Sequence, residues 1–380
     1  MGKLTTTYDA AIIGGGLGGL TLAIQLAKKG KSVLLFEKES YPFHKVCGEY
    51  ISNESVDFLQ SCGIPLTALN LPQINELGIS APNGMYIKHP LGLGGFGISR
   101  YTLDSLLKEQ ALLCGVNFYE ECKVYTCSFH QNRFALETSK GLFTAYYCFG
   151  AYGKKSNMDV HMQRKFVQEK KRGKQNYIAV KYHISIDFAT NLIELHNFKD
   201  GYCGISKVDD NRYCICYLSN EKNLKDHGGN IKTMEQEVLY KNPHLKKIFT
   251  QATFLYPQPL TISQIRFEPK TQIENHVVML GDAAGLITPL CGNGMSMAMR
   301  ASKMLAQLFP SNSEDRQARE DFEKRYQKQW QETFATRLTI GRIFQSLFGS
   351  ERITYWVLRC MKPFPRLLTQ LIALTHGKPF

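Results

Sequence analysis

The sequence of 380 residues lacks the marks of several protein classes. Its eleven cysteines include no C-x-x-C pair, so we predict neither a zinc site nor a disulfide framework, and we expect a reducing cytosol. The chain opens with no charged-then-apolar signal segment, so we do not expect export. No nucleic-acid motif accompanies the net charge of +13, and nucleic acid is therefore not an expected partner.

What remains is the composition of an ordinary folded protein. Hydrophobic residues make up 43% of the chain and charged residues 21%, and the length allows two domains. Lys and Arg number 46 against 33 Asp and Glu. This excess indicates an anionic partner, such as a phosphorylated cofactor or an anionic membrane surface.

The stretch from Thr7 to Glu37 contains the most informative motif. An apolar run leads into GGGLGG, a helical pattern follows, and a second apolar run ends at Glu37, which predicts a strand-turn-helix-strand unit. In the G-x-G-x-x-G spacing, Gly14 makes the tight turn, Gly16 lets a pyrophosphate approach the backbone, and Gly19 lets the helix lie close to the strand. The unit therefore predicts dinucleotide binding.

Two further features of this unit indicate how a dinucleotide would lie. The helix N-terminus offers unpaired N–H groups and the positive end of the helix dipole to the phosphates. Glu37 follows Gly19 by 18 residues and closes the second strand, where its carboxylate can accept hydrogen bonds from a ribose diol. A carboxylate at this position favours a free 2′-hydroxyl over a 2′-phosphate.

Residues 92–97 read GLGGFG and repeat the same spacing, but their context differs. A short strand, Met85 to Lys88, ended by Pro90, precedes them, and no helix begins at the last glycine, so we predict a glycine-rich hairpin rather than a second nucleotide site. Arg100 is then predicted to end a strand, and the helix Leu103 to Cys114 follows it. It can reach a phosphate or a flavin, or it can form a salt bridge with Asp104.

The middle of the chain changes in character. A strand-like run, Leu142 to Phe149, ends at a glycine and would meet the cofactor if its sheet is parallel. The basic run from Arg164 to Lys174 is typical of a solvated surface. From Tyr177 to Ser219 the pattern alternates as in strands, which predicts an antiparallel sheet belonging to a second domain inserted into the first.

A third motif follows the buried-type strand His276 to Leu280. Asp282 comes directly after it among small residues, where its carboxylate could bind a ribityl or ribose hydroxyl. The segment Gly292 to Met295 then starts a helix whose N-terminal amides point at the cleft. If an isoalloxazine lies there, the helix dipole stabilises negative charge on the reduced ring.

The C-terminal region has a pattern of its own. Ser313 is predicted to cap a long helix with an apolar stripe, which is typical of a core-facing helix. Ile353 to Leu374 is apolar but interrupted by charges and prolines, so it cannot span a bilayer as one uncharged helix. Two short amphipathic helices flanking Pro363-Phe364-Pro365 are expected, either packed over the substrate pocket or lying on a membrane surface.

Together, GGGLGG with Glu37, KVCGEYIS, Arg100 before a helix, and GDAAGLITPLCGNGMSMAM resemble flavoprotein monooxygenases and geranylgeranyl reductases of the p-hydroxybenzoate hydroxylase fold. The resemblance extends from about residue 7 to 310 and implies FAD at the glycine loop. It implies a loop next to the flavin at Cys47 and Gly48. The residues that it implies as FAD contacts are Gly14, Gly16, Gly18, Gly19, Glu37, Arg100, Asp282, Gly294 and Met295.

The predicted fold class is α/β, with a Rossmann-like FAD-binding domain, an inserted antiparallel β-sheet substrate domain and a helical C-terminal tail. The FAD-binding domain is expected to comprise residues 1–157 and 268–310, the substrate domain residues 158–267, and the helical region residues 311–380. No metal site is predicted.

The sequence departs from these families in three places. Tyr152-Gly153 stands where the family has Asp-Gly, which puts any pyridine-nucleotide contact of that aspartate in doubt. The segment from Gly201 to Ser206 resembles the Y-x-W-x-F-P motif of the reductases without its tryptophan or proline. The W-x-W-x-I-P motif of flavin halogenases is absent, because the only tryptophans are Trp330 and Trp356, so we do not expect halogenation.

The resemblance implies an NAD(P)H-driven monooxygenase that hydroxylates an apolar aromatic or polyketide-like substrate. NAD(P)H would reduce the flavin transiently at its face, and Pro289 is expected to shape the oxygen site. Cys47 is either an active-site thiol or a small residue packed beside the cofactor. The protein is expected in the cytoplasm, with peripheral contact at the inner face of the membrane left open.

Two alternatives remain. One is a double-bond reductase of the geranylgeranyl type acting on prenyl chains, and it would turn over without oxygen, whereas a hydroxylase would stop. The other is a flavin-binding protein without turnover that docks on membranes through its tail.

Overall fold

The computed structural model describes residues 6–168, 176–286, 293–347, 350–375 and 377–380. The strands within these residues are, in chain order, Thr7–Ile13 (β1), Val33–Phe36 (β2), Tyr50–Ser52 (β3), Gln73–Ser80 (β4), Tyr86–Gly97 (β5), Asn117–Tyr119 (β6), Val124–His130 (β7), Arg133–Thr138 (β8), Gly141–Gly150 (β9), Tyr177–Ser185 (β10), Leu192–Phe198 (β11), Gly201–Lys207 (β12), Tyr213–Asn220 (β13), Thr253–Phe254 (β14), Leu260–Ile265 (β15), Ile273–Glu274 (β16) and Val277–Met279 (β17).

The α-helices are Leu17–Lys28 (α1), Val56–Ser61 (α2), Arg100–Leu113 (α3), Asn157–His161 (α4), Lys165–Gln168 (α5), Glu221–Asp226 (α6), Ile231–Glu237 (α7), Pro243–Gln251 (α8), Gly294–Leu308 (α9), Arg316–Leu347 (α10), Glu351–Met361 (α11) and Pro365–Thr375 (α12). Short 3₁₀ turns occupy Asn53–Ser55, Leu66–Leu69, Leu239–Lys241 and Gly281–Ala283.

The first sheet has the order β16-β17-β9-β1-β2-β6, and β8 and β7 extend it from β9. Its central pairs are parallel, and Ile13 lies opposite both Phe36 and Gly150, while Met279 also pairs with Gly150. The carboxyl ends of four strands therefore meet at one edge, which is where open α/β sheets bind ligands. The predicted strand-turn-helix-strand unit and the α/β fold class are confirmed.

The second sheet has the order β14-β10-β13-β12-β11-β4-β5-β3, with β15 beside β10. The strands from β10 to β13 form the antiparallel ladder predicted from their alternation. The sheet also includes β3, β4 and β5 from residues 50–97, and β4 joins β11 in parallel. The substrate sheet is thus built from two separate segments of the chain, and the domain boundaries themselves stay a prediction.

The prediction of a glycine-rich hairpin at residues 92–97 is wrong. These residues end the single strand β5, and the hairpin turn lies earlier, where Ala81 N–H donates to the Met85 carbonyl. The pairing with β4 shifts register near Pro90, where a missing N–H is tolerated. At Gly97 a Cβ atom would lie 1.8 Å from the carbonyl oxygen of Lys207, so close backbone approach explains this glycine. The helix begins at Arg100, and none begins at Gly97.

The long helix α10 buries its predicted apolar stripe against the first sheet and α9. The stripe residues, between 0% and 6% exposed, are Phe322, Tyr326, Trp330, Phe334 and Leu338. The predicted cap is wrong, because Asp315 Oδ1 accepts from the backbone N–H groups of Gln317 and Ala318, at 2.9 and 3.2 Å. Ser313 instead donates to Asp9 across a 2.6 Å hydrogen bond. The stripe is therefore core, as predicted, although the helix starts two residues later.

Helices α11 and α12 are the two short helices predicted for the tail. One face of the pair packs on β5 and β11 of the second sheet. Within the described ranges, every helix is too short or too polar to cross a bilayer.

Candidate functional site

The shared carboxyl edge of the first sheet opens into a cavity of about 1170 Å³ that continues between the second sheet and the tail helices. Of the predicted FAD contacts, all but Gly19 line it. The predicted residues that line the cavity are Gly14, Gly16, Gly18, Glu37, Cys47, Gly48, Arg100, Asp282, Gly294 and Met295. Residues distant in the sequence are thus brought to one place.

The glycines of the first loop differ in what surrounds them. Gly14 has φ +109, and a Cβ atom there would lie 2.5 Å from the carbonyl oxygen of Ala151. A Cβ on Gly19 would lie 2.0 Å from the carbonyl oxygen of Gly14, so this glycine allows α1 to approach β1. A Cβ on Gly16 would meet only Arg100 Nη2, at 3.8 Å, and would otherwise project into the cavity. The loop therefore leaves a cradle at Gly16 that fits a phosphate group.

Two helix N-termini border this cavity. Helix α1 follows Gly16 and α9 begins at Gly294, and neither first turn is capped by a side-chain hydrogen bond. The N–H groups of such a turn and the positive end of the helix dipole favour an anion. The site can thus accept a pyrophosphate at α1 and negative charge on a ring at α9, which fits FAD.

Glu37 lies at the end of β2 with its carboxylate held by the backbone. Its Oε2 accepts from the N–H of Gly15, at 2.9 Å, and its Oε1 accepts from the N–H groups of Lys38 and Glu39, at 2.8 and 3.2 Å. Oε2 keeps a second lone pair, so the group retains the capacity to accept one hydrogen bond from a ribose diol. The ribose contact itself stays a prediction.

Arg100 forms the salt bridge considered from the sequence and also lines the cavity. Its Nε and Nη2 donate to the two carboxylate oxygens of Asp104, each at 2.7 Å. Lys45 Nζ lies 3.0 Å from the same carboxylate. Burial raises the pKa of Asp104, but the charges of Arg100 and Lys45 outweigh it and hold that pKa below its usual range. Two cations are therefore fixed beside the glycine loop, where a pyrophosphate would lie.

Asp282 lies in a 3₁₀ turn directly after β17. Its carbonyl oxygen and that of Lys154 each accept a hydrogen bond from Lys270 Nζ, at 2.8 Å. Burial lowers the pKa of Lys270 to about 8, although the carboxylates of Asp159 and Asp282 act in the opposite direction. The buried lysine ties the turn to the end of β9, so that Asp282 is held at the cavity wall.

Cys47 packs beside the predicted flavin position. Its Sγ lies 3.6 Å from Met295 Sδ, at the first turn of α9. A Cβ on the neighbouring Gly48 would meet no atom within 4 Å, so this loop faces open space. The arrangement favours a small packed residue over a reactive thiol, and that choice stays a prediction. Pro289, predicted to shape the oxygen site, lies outside the described residues.

Tyr152 stands where the resembled family has an aspartate, and a different carboxylate, that of Asp159, lies beside it. Tyr152 lines the cavity, and its hydroxyl donates to Asp159 across 3.0 Å. Arg164 pairs with the same carboxylate at 2.9 Å and is fully buried, so the expectation of a solvated surface is wrong for this residue. The acidic group near this strand end is thus supplied by Asp159, which no spacing motif indicated.

The far half of the cavity is apolar. It lies between β4, β5, β11 to β13 and β15 on one side and the tail helices on the other. Its aliphatic lining residues are Leu77, Ile79, Leu91, Ile193, Leu195, Leu218, Ile262, Leu286, Val357, Leu358, Met361, Leu368, Leu371 and Ile372. The tail helices therefore pack over the pocket, one of the two positions considered from the sequence.

A buried polar cluster between the two halves was missed by sequence reasoning. Glu49, fully buried, accepts from His183 Nε2 at 2.6 Å, from the N–H of Arg100 at 2.8 Å, and from Lys181. Burial raises the pKa of Glu49, but the hydrogen bonds and charges of His183 and Lys181 lower it below its usual range. The available signal was that Lys181 and His183 alternate on the buried face of β10.

Glu49, His183 and Cys214 each place one potential ligand atom within 4.8 Å of the others. The ammonium group of Lys181 already donates to the same carboxylate, so the positive charge that a metal would supply is present. We assign no metal to this cluster of described residues.

A glycine loop at the carboxyl edge of a parallel sheet, two helix N-termini and an adjoining apolar pocket define an FAD-dependent oxidoreductase of the monooxygenase type. Residues 7–339 match the family described as FAD binding domain, and the chain belongs to that family.

Three relatives illustrate the range of similar proteins. Conditioned medium factor receptor 1 of Dictyostelium discoideum is 24% identical, with 90% of this chain and 70% of the relative covered. Kynurenine 3-monooxygenase of Legionella pneumophila (strain Lens) is 25% identical, with 80% and 73% covered. The crystal structure of halogenase PltM in complex with phloroglucinol and FAD has a TM-score of 0.74 at 16% identity, with 91% and 78% covered, which shows a shared fold.

Proposed function

We propose that the protein is an NAD(P)H-driven monooxygenase that hydroxylates an apolar aromatic or polyketide-like substrate. The observation that supports this most directly is the continuity of one cavity from the glycine loop to an aliphatic pocket. A redox cofactor at one end and an apolar substrate at the other would meet in the middle of such a cavity. The proposal extends the oxidoreductase class to a particular reaction.

The residues described above would hold FAD along its length. Glu37 would bind the adenosine ribose, the first turn of α1 and Arg100 the pyrophosphate, and Asp282 the ribityl chain. The first turn of α9 would face the ring. When bound, FAD supplies the electron transfer and oxygen chemistry, which protein side chains cannot provide.

The protein's own contribution is to bind and orient the substrate and to exclude water from the site. The aliphatic walls and the tail helices exclude water, which protects a reactive oxygen species from hydrolysis and strengthens the electrostatic interactions of the few polar groups. Kynurenine and phloroglucinol, the compounds named for two similar proteins, both contain an aromatic ring. An aromatic ring with an apolar substituent would fit this lining best.

NAD(P)H is proposed to reach the flavin only transiently. In the described part of the chain, one glycine loop joins a parallel strand to a helix in the arrangement that binds a dinucleotide, and that loop is assigned to FAD. Tyr152, in place of the family's aspartate, removes one carboxylate that could have contacted a pyridine nucleotide.

The test measures flavin reduction by NADPH without oxygen, with an alkylresorcinol and a prenyl diphosphate added in turn, followed by oxygen. The proposal expects the resorcinol to accelerate reduction and a hydroxylated product to form only after oxygen is added. Absence of substrate-stimulated oxygen uptake across phenolic and resorcinolic compounds would refute it.

A second candidate is a reductase that saturates prenyl chains, and the aliphatic character of the far half of the cavity favours it. Here the prenyl substrate itself would reoxidise the reduced flavin. Turnover under anaerobic conditions would establish this reaction and exclude the hydroxylase.

We also propose that the tail contacts an anionic membrane surface. The side chains of Trp356 and Phe364 are each 60% exposed, and the exposed cations Arg359, Lys362 and Arg366 lie beside them on α11, α12 and the connecting turn. Exposed aromatic groups among cations are typical of interfacial helices. Because the opposite face of the same helices lines the cavity, an apolar substrate could enter from the lipid.

Sedimentation with vesicles tests this contact. Binding to vesicles with anionic lipid is expected, and it should weaken in zwitterionic vesicles and after Trp356→Ala and Phe364→Ala together. Leu113→Ala, which removes another exposed apolar side chain far from the tail, is the matched control. Equal sedimentation of all three proteins would contradict the proposal.

A further inference from the structure

A glycine lies in the middle of the sheet that forms one wall of the cavity. Gly204 is within β12, and it is paired with Leu195 of β11 on one side and with Cys216 of β13 on the other. All three residues line the cavity and are partly exposed, whereas most residues around them in these strands are buried. The open space of the cavity therefore reaches the surface of the sheet at this point.

The described residues impose no steric need for a glycine at position 204. A Cβ atom on Gly204 would lie 3.5 Å from Leu195 Cδ2 and 3.7 Å from the carbonyl oxygen of Cys216, which are ordinary contacts. Gly201 differs, because a Cβ there would lie 2.4 Å from the carbonyl oxygen of Leu218. The pairing of β12 with both neighbours keeps one register, so Gly204 marks no β-bulge. A strand glycine that serves neither a bulge nor a close backbone contact often marks the approach of a ligand.

Gly204 lies close to the loop beside the predicted flavin position. In that loop, the carbonyl oxygen of Cys47 lies 3.3 Å from Cys214 Sγ. Cys214 is paired with Ser206, and Gly204 is the next residue on the same face of β12, about 7 Å along the strand. A group bound above Gly204 would therefore lie where the cofactor half of the cavity meets its aliphatic half.

The surroundings of Gly204 form a recess with apolar walls. Leu195 stands beside it on β11, and Tyr202 stands two residues away on the same face of β12, and both line the cavity. Leu195 is paired in turn with Ile79 of β4, which continues the aliphatic lining towards the tail helices. A flat apolar group fits the space above the glycine, and a chain attached to it fits the groove beyond.

We propose that Gly204 determines substrate specificity, because its missing side chain leaves a recess that receives the planar ring of the substrate. The apolar substituent of the ring extends over Leu195 and Ile79 towards the tail helices. The substrate class is thus an aromatic ring that carries a linear apolar chain. This inference rests on the proposed hydroxylation of an aromatic substrate and adds to it the position of the ring.

The test fills the recess in steps with Gly204→Ala, Gly204→Val and Gly204→Leu. Gly204 lies inside a regular strand, so these side chains are compatible with its backbone. Binding of an alkylresorcinol to the FAD-loaded protein is measured by calorimetric titration. The dissociation constant should rise a few fold with alanine and about tenfold to a hundredfold with leucine, as expected for overpacking an apolar site.

Two controls separate a filled recess from a damaged protein. A linear alkanol of the same chain length should bind Gly204→Leu and wild type equally, because it needs only the aliphatic half of the cavity. Gly92→Leu is the matched variant, since Gly92 is an exposed strand glycine outside the cavity whose Cβ would meet no atom within 4 Å. It should bind both ligands as wild type does, and FAD affinity should be the same in all variants.

Thermal unfolding tests whether the fold itself needs the glycine. The midpoint of Gly204→Ala should equal that of wild type or exceed it slightly, since alanine reduces the entropy of the unfolded chain. A clearly lower midpoint would show a structural need for glycine and would overturn the inference.

The binding results decide the inference without any turnover. Equal resorcinol affinity of Gly204→Leu and wild type, parallel loss of resorcinol and alkanol binding, or a wild type that does not bind the resorcinol would each overturn it. A wild type that binds the resorcinol, loses it in Gly204→Leu and still forms no oxygen-dependent product would refute the hydroxylation alone.

Discussion

Replacement of Gly16 by alanine tests the cofactor cradle most directly. The backbone at Gly16 is extended, with φ −79 and ψ −178, so alanine fits without strain. The new methyl group would meet only Arg100 Nη2, at 3.8 Å, and would otherwise occupy the space left for the pyrophosphate. Loss of two charge-assisted hydrogen bonds of about 1.5 kcal/mol each predicts about 3 kcal/mol of lost binding free energy. The dissociation constant of FAD should therefore rise about a hundredfold.

The assay is a titration of apoprotein with FAD, followed by flavin fluorescence. Gly92→Ala is the matched control, because a Cβ there meets no atom within 4 Å and the residue is exposed outside the cavity. The midpoint of thermal unfolding of the Gly16→Ala apoprotein should stay the same or rise slightly, since alanine reduces the entropy of the unfolded chain. Unchanged FAD affinity in a folded Gly16→Ala protein would refute the placement of the pyrophosphate at this loop.

Three further predictions concern stability and substrate binding. Asp104→Asn should destabilise the protein by about 3 kcal/mol at neutral pH in urea unfolding, since it leaves Arg100, whose side chain is only 11% exposed, without its charge partner. Because the folded pKa of Asp104 is lowered, its stabilisation is present above its ordinary pKa and is lost as pH falls through the folded value, so wild type should lose stability in acid that the variant lacks. Trp330→Ala should cost about 3–5 kcal/mol by the same assay, because it opens a cavity beneath α10. Leu358→Trp should raise KM for an apolar substrate without changing FAD affinity, as Leu358 lines only the far half of the cavity.

The features that could be predicted from the sequence are those whose pattern lies within one short stretch of the chain. The unit from Thr7 to Glu37 places a strand, a turn and a helix within one short stretch, and each glycine there has a steric reason visible in the spacing. The alternation of β10 to β13 and the apolar stripe of α10 are periodic patterns of the same kind. For these elements the structure agrees with the sequence, except at their ends.

The features that were not predictable depend on partners far apart in the chain. Glu49 meets Lys181 and His183 across 132 and 134 positions, and no spacing rule connects them. The run at residues 92–97 has turn-forming residues, yet pairing with β4 keeps it extended, so tertiary contacts override local propensity. Asp315 rather than Ser313 caps α10 because Asp9, more than three hundred positions away, binds the serine hydroxyl.

The parallel pairing of β4 with β11 has a consequence for the order in which the chain folds. Ser80, the last residue of β4, and His196, within β11, share a 2.9 Å hydrogen bond across 116 positions. The first sheet likewise needs β17, whose residues 277–279 follow late in the chain. An N-terminal fragment can complete neither sheet. During synthesis, the edge of β4 that later pairs with β11 therefore stays unpaired until β11 has been made. Such edges promote aggregation during synthesis, and non-local pairing of this kind folds slowly. The cavity is therefore assembled only late in biosynthesis, once both distant segments have emerged.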